Sequence, residues 1–111
     1  MTGAELIAAE RQRQIEAEGY SPLHDDALPV GDLASAGIAY AVNALPDHPI
    51  LIRDPYWDWW PWTSESWKPT GDRVVDLTKA GALIAAEIDR ELRARADTAA
   101  MVAANDDGPT P

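Results

Sequence analysis

The sequence predicts an all-α protein: three helices in a bundle-like domain, with a long Trp- and Pro-rich loop before the last of them. Three observations carry this prediction. Residues 3–18 and 72–96 are rich in strong helix formers and contain no proline. Residues 32–44 form a short, alanine-rich stretch that is apolar on two faces. Residues 45–71 hold five prolines and all five tryptophans, a composition that breaks helices and concentrates aromatic mass in one place.

The elements follow in order. Thr2 is placed to cap the first helix, and Glu5, three residues on, completes a capping-box spacing. Its apolar stripe is thin (Leu6, Ile7, Ala9, Ile15), and Gly19 is placed to end it in the left-handed conformation. Residues 20–30 read as a loop, because Pro22 and Pro29 exclude a regular helix. The second helix starts near Asp32. Leu33, Gly37, Tyr40, Ala41 and Ala44 mark one face, and Ile38, Val42 and Leu45 another, which makes it the central, most buried helix. Residues 50–53 have the composition of a short strand but no visible partner, so the loop is read as irregular. In the last helix Leu77, Gly81, Ile84, Ile88 and Leu92 recur at helical spacing, and Asp76, Lys79, Glu87 and Arg90 mark a polar face. The expected organisation is one helical domain over 1–97 and a partly helical to disordered tail over 98–111.

At 111 residues the chain is one domain by length, and it contains no cysteine, which excludes disulfides and thiolate chemistry. The absence of a signal-like apolar segment at the start, and of any window of roughly 20 apolar residues, leads one to expect a cytoplasmic protein with no membrane partner. A formal net charge of −10 argues against non-specific nucleic-acid binding, which needs a basic field. The thin first helix and the alanine-rich centre suggest incomplete burial within one subunit, hence a homodimer.

Three groups of residues could carry chemistry. In the tryptophan cluster (Tyr56, Trp57, Trp59, Trp60, Trp62, Trp67), flat indole faces beside Lys68, Arg73 and Lys79 suit a nucleotide-like ligand. The same indoles could equally form a satellite core over helices too poor in large side chains to make their own. His24, Asp25 and Asp26 are candidate metal ligands for Mg²⁺, Mn²⁺ or Zn²⁺, or a turn whose carboxylates cap backbone or pair with Arg11 or Arg13. Arg11 lies one turn from both Ile7 and Ile15, close to the buried stripe, so it needs a carboxylate or an anionic ligand. No phosphate-cradling glycine loop, no HExxH and no Ser-His-Asp order occurs, and Ser64 and Ser66 have no base nearby in sequence.

ERQRQIEAEGYSPLHDD, then GDLASAGIAYA, WPW, WKP and DLTKAGALIAAEIDR together resemble a family of short, uncharacterised bacteriophage and prophage proteins. The resemblance spans about residues 5–93 and implies a phage accessory protein acting in the bacterial cytoplasm. ERQRQ and the last helix are also similar to the ends of MazG-like nucleotide pyrophosphohydrolases, all-helical enzymes that hold magnesium on an EExxE motif. The chain departs from that family in its central helix, where Asp32 is the one acid. The leading expectation is therefore a binding protein without turnover, sequestering a nucleotide-like ligand such as a host defence signal. Its ligand-binding set is Arg11, Trp57, Trp60, Trp62, Trp67, Lys68, Arg73 and Lys79. A divergent Mg²⁺-dependent MazG-like hydrolase and a protein inhibitor of a host factor are the alternatives.

Overall fold

Thr2 opens α1 (Gly3–Ala17) with a closed capping box. Its hydroxyl accepts from the Glu5 N–H at 3.2 Å, and the Glu5 carboxylate accepts from the Thr2 N–H at 3.1 Å. The computed structural model describes residues 1–46 and 58–105; residues 50–53, Tyr56 and Trp57 lie outside them. The described residues are helical or irregular with no strand, an all-α fold. Gly19, at φ 74°, takes the chain out of α1.

The segment expected to be a loop contains a short helix, α2 (Pro22–Asp26). Pro22 does not prevent it because it occupies the first helical position, where its missing N–H has no intrahelical partner to lose. The Ser21 hydroxyl accepts from the His24 N–H at 3.2 Å and caps the turn. Gly31 precedes α3 (Asp32–Asn43). A single 3₁₀ turn, Ser64–Ser66, interrupts the Trp-rich segment, and α4 (Arg73–Asn105) runs 33 residues, about 50 Å at the helical rise. This helix passes well beyond 96, because residues 94–104 are mostly alanine and nothing in them stops it. Residues 106–111 lie outside the described part.

α3 is the central helix. Leu33, Ala36, Gly37, Ala39, Tyr40 and Val42 are buried, and its main neighbour is α4. The core joins Leu33, Ala36, Ala39 and Tyr40 to Ala80, Leu83 and Ala86 of α4 and to Trp60. Four of those eight side chains are alanine, so the helices must approach closely to exclude water. Two glycines permit it. A Cβ on Gly37 would lie 2.8 Å from Ile84 Cγ1 and 3.0 Å from the Ala80 carbonyl oxygen, and one on Gly81 would lie 2.5 Å from Ile7 Cδ1.

Close approach also decides which face of α4 is inside. The stripe of Leu77, Ile84, Ile88 and Leu92 is not the buried face: Ile88 and Leu92 are each 55% exposed. The buried positions are Ala80, Ala82, Leu83 and Ala86, small enough for the contact with α3, together with Asp76, which the sequence pattern had placed on the polar face. Asp76 is inside because it fastens the turn that leads into its helix; its carboxylate accepts from Thr70 N, Thr70 Oγ1 and Gly71 N at 2.9, 2.8 and 3.1 Å. Among the described residues no helix is long and apolar enough to cross a membrane.

Candidate functional site

The Trp-rich segment supplies the bulk that the alanine helices lack. Trp60 is buried against Tyr40 edge-on, with ring centres 5.5 Å apart, and its indole N–H donates to the Thr63 carbonyl at 3.0 Å. Trp67 lies 4.7 Å from the Tyr40 ring and 5.0 Å from Trp60; Trp62 meets Trp60 at 5.1 Å and Tyr20 at 6.0 Å. Tyr20 in turn stacks on His24 at 5.0 Å. Such edge-to-face and tilted pairs are the favoured geometries for aromatic quadrupoles. Trp60, Trp62 and Trp67 therefore serve as core, with Trp62 and Trp67 keeping part of their surface open. Trp59 is turned further out, and its carbonyl accepts from the Ser35 hydroxyl.

Where this aromatic layer meets α1 and the start of α4, a small polar cleft of about 60 Å³ remains. Gln14 and Arg13 of α1, Tyr20, Tyr40 of α3, Trp60, Lys68 and Lys79 form its walls, with Glu18 and Ser66 at the side. Lys79 Nζ donates to the Lys68 carbonyl at 3.2 Å and sits 5.5 Å from the centre of the Tyr40 ring, a cation–π distance. The Lys68 N–H donates to the Tyr40 hydroxyl at 3.2 Å, which leaves the phenolic proton free to donate. Burial pushes the Tyr40 phenol above its usual pKa, as it does that of Tyr20, so both remain protonated donors at neutral pH. Arg13 is already committed: it donates to the Glu10 carboxylate at 2.6 Å and to Glu18 at 3.2 Å. The Glu10 hydrogen bonds hold its guanidinium above the usual range. Lys68 has no side-chain partner of its own among the described residues.

The other candidate residues lie elsewhere. Arg11 is not at the cleft: its Nη2 donates to Asp25 Oδ2 at 2.7 Å and its Nη1 to the Tyr20 carbonyl at 3.1 Å. Arg73 Nε donates to the Ala44 carbonyl at 2.9 Å, closing the end of α3. Trp57 falls outside the described residues. The three candidate metal ligands separate. Asp25 turns fully inward to Arg11, with its Oδ1 2.9 Å from His24 Nδ1, while Asp26 faces out to Arg93 at 2.8 Å. That donor arrangement does not fit a shared ion, and among the described residues no group of three or more His, Asp or Glu side chains could hold one.

Gln14 is the site residue that the sequence reading missed. Its one signal is spacing: Ile7, Arg11 and Gln14 follow one another at steps of four and three, so Gln14 shares the buried stripe. A glutamine in a run of Glu, Arg and Gln otherwise looks like any exposed helix residue. No family model matches the chain, and comparison with curated proteins and with solved structures gives no match.

Proposed function

We propose that this chain is a phage-type accessory protein that binds a nucleotide-like ligand, such as a host defence signal, at the cleft beside the aromatic layer. One observation carries the reading. In a chain of net charge −10, Lys68 and Lys79 line one small polar opening together with Tyr40 and the Trp60 indole. Basic groups so gathered create a local field for an anion that the surface as a whole would repel. The phage assignment rests on the order of the ERQRQ, HDD, WPW, WKP and DLTKAGALIAAEIDR segments. The hydrolase alternative draws no support from Asp25 and Asp26, which are engaged by Arg11 and Arg93.

The test is thermal unfolding against mono-, di-, tri- and cyclic nucleotides, with and without Mg²⁺. A ligand at about 100 times its Kd adds roughly 2.7 kcal/mol. In a domain this small the midpoint should rise by about 10 °C. Lys68→Met should abolish the shift while leaving the unliganded midpoint nearly unchanged, since that ammonium supports nothing in the fold. A flat response across the panel would overturn the reading.

The homodimer belongs to the same proposal. An open groove of about 630 Å³ follows the outer half of α4, floored by Val30, Ile88 and Leu92. Glu87, Glu91 and Asp97 are interspersed along it with Arg90, Arg93 and Arg95. A mixed pattern of this kind complements a second copy running antiparallel, whereas a partner of single charge sign would meet like charges. Sedimentation at micromolar concentration should give a dimer that Leu92→Glu converts to a monomer; a monomeric parent would refute the pairing.

A further inference from the structure

We propose that the cleft is a subsite for one terminal phosphoryl group, that Gln14 is the residue that reads it, and that the nucleoside stays outside. This rests on the ligand reading above and specifies which part of the ligand is enclosed. Gln14 has an unmet hydrogen bond. Gln14 is only 3% exposed and lines the cleft, and its Oε1 is buried without a partner. An unsatisfied buried amide oxygen costs about 1–3 kcal/mol. Leucine would fill the same volume on this helix without that cost, so the amide at this position calls for a polar occupant of the cleft.

Size and donor pattern then narrow the occupant. About 60 Å³ is room for a few waters or one tetrahedral oxyanion, and too little for a base. Lys68, Lys79 and Tyr40 line the cleft, and the phenolic proton of Tyr40 is free to donate. These are charge-assisted donors for ionised oxygens. The carboxylate on the wall, Glu18, shares the Arg13 guanidinium with Glu10, at 3.2 Å, so its charge is offset in part. Gln14 supplies what the cations lack, an acceptor. A phosphate monoester with a second pKa near 6 keeps a fraction of P–O–H at neutral pH, and that hydroxyl can donate to Gln14 Oε1. Rotating the amide half a turn offers its N–H₂ to the fully ionised form instead. A cleft of this size takes the end of a ligand. A cyclic phosphodiester, whose phosphorus is flanked by sugar on both sides, does not fit.

Isothermal titration of the full chain tests this with inorganic phosphate, the common nucleosides, their 5′-monophosphates and a cyclic mononucleotide. A 5′-monophosphate should bind, and the matching nucleoside and cyclic form should not. Gln14→Leu should weaken binding by about ten-fold or more and melt no lower than the parent. Gln14→Glu should weaken it further, by placing a carboxylate against the anion. If nucleoside and nucleotide bind alike and Gln14→Leu changes nothing, the subsite is wrong and the nucleotide reading stands. If inorganic phosphate binds in a Gln14-dependent way but no nucleotide does better, the subsite stands and the nucleotide reading fails. If nothing binds, both fail.

Discussion

Replacing Asp25 by alanine is expected to destabilise the protein by about 3–5 kcal/mol, more than any other single change at the candidate residues. Asp25 is fully buried and ties α2 to α1. Its Oδ2 takes Arg11 of α1 at 2.7 Å, its Oδ1 meets His24 at 2.9 Å, and Arg11 goes on to the Tyr20 carbonyl at 3.1 Å. Arg11 has no slack to absorb the loss, since its Nε already lacks a partner. Removing the carboxylate would leave a guanidinium stranded in a place with little water. Thermal or urea unfolding should show a midpoint lowered by more than about 10 °C. The double change Asp25→Leu with Arg11→Met should recover most of it, because a pair replaced by apolar groups leaves no orphaned charge. A loss under about 1 kcal/mol for Asp25→Ala would mean that water or another carboxylate reaches Arg11.

Asp76→Ala is expected to cost about 2–4 kcal/mol, from hydrogen bonds to a charged acceptor at about 1.5–3 kcal/mol each that do not add fully. The carboxylate is 1% exposed and gathers both donors of Thr70 and the N–H of Gly71. Those residues form the turn between Lys68 and α4, so the change should also disturb the cleft. Asp76→Asn keeps one acceptor oxygen and should lose roughly half as much. Measuring unfolding and nucleotide binding on the same two variants separates the effects. If Asp76→Ala melts like the parent, the turn is held by other contacts and this account of it is wrong.

Much of the helical architecture was legible in the sequence because it depends on residues four or fewer apart. The Thr2–Glu5 box, the exit at Gly19 and the start of α3 after Gly31 follow from local hydrogen bonding and φ alone. α2 was hidden because proline was read as a breaker when its position, just after a serine cap, made it a starter. Arg11 was legible in part: its place on the apolar stripe demanded an anion, and the HDD segment was one of the partners considered. The choice of Asp25 over Asp26 is geometric, since successive residues of a short helix point about 100° apart.

The candidate site was less legible. Lys68 and Lys79 stood out as basic residues near the indoles, but Arg73 looked the same and proved to close α3. Gln14 and Tyr40 carry no chemical mark, and they become a site only when α1 and α3 both pack against α4.

The sequence by itself determined that this chain is helical and where most helices begin, and it left the Trp-rich segment open between a ligand surface and a cover for the alanine-rich centre. The helices and their starts follow from backbone preference over short spans. Only the tertiary structure decided which face of α4 is buried. The large residues of its apolar stripe look like a core, yet Ala80, Ala82, Leu83 and Ala86 are buried and Ile88 and Leu92 lie outside. The cleft was decided the same way. Gln14, Tyr40, Lys68 and Lys79 lie far apart in the chain, and no local rule places them around one opening; the packing of alanine against tryptophan does.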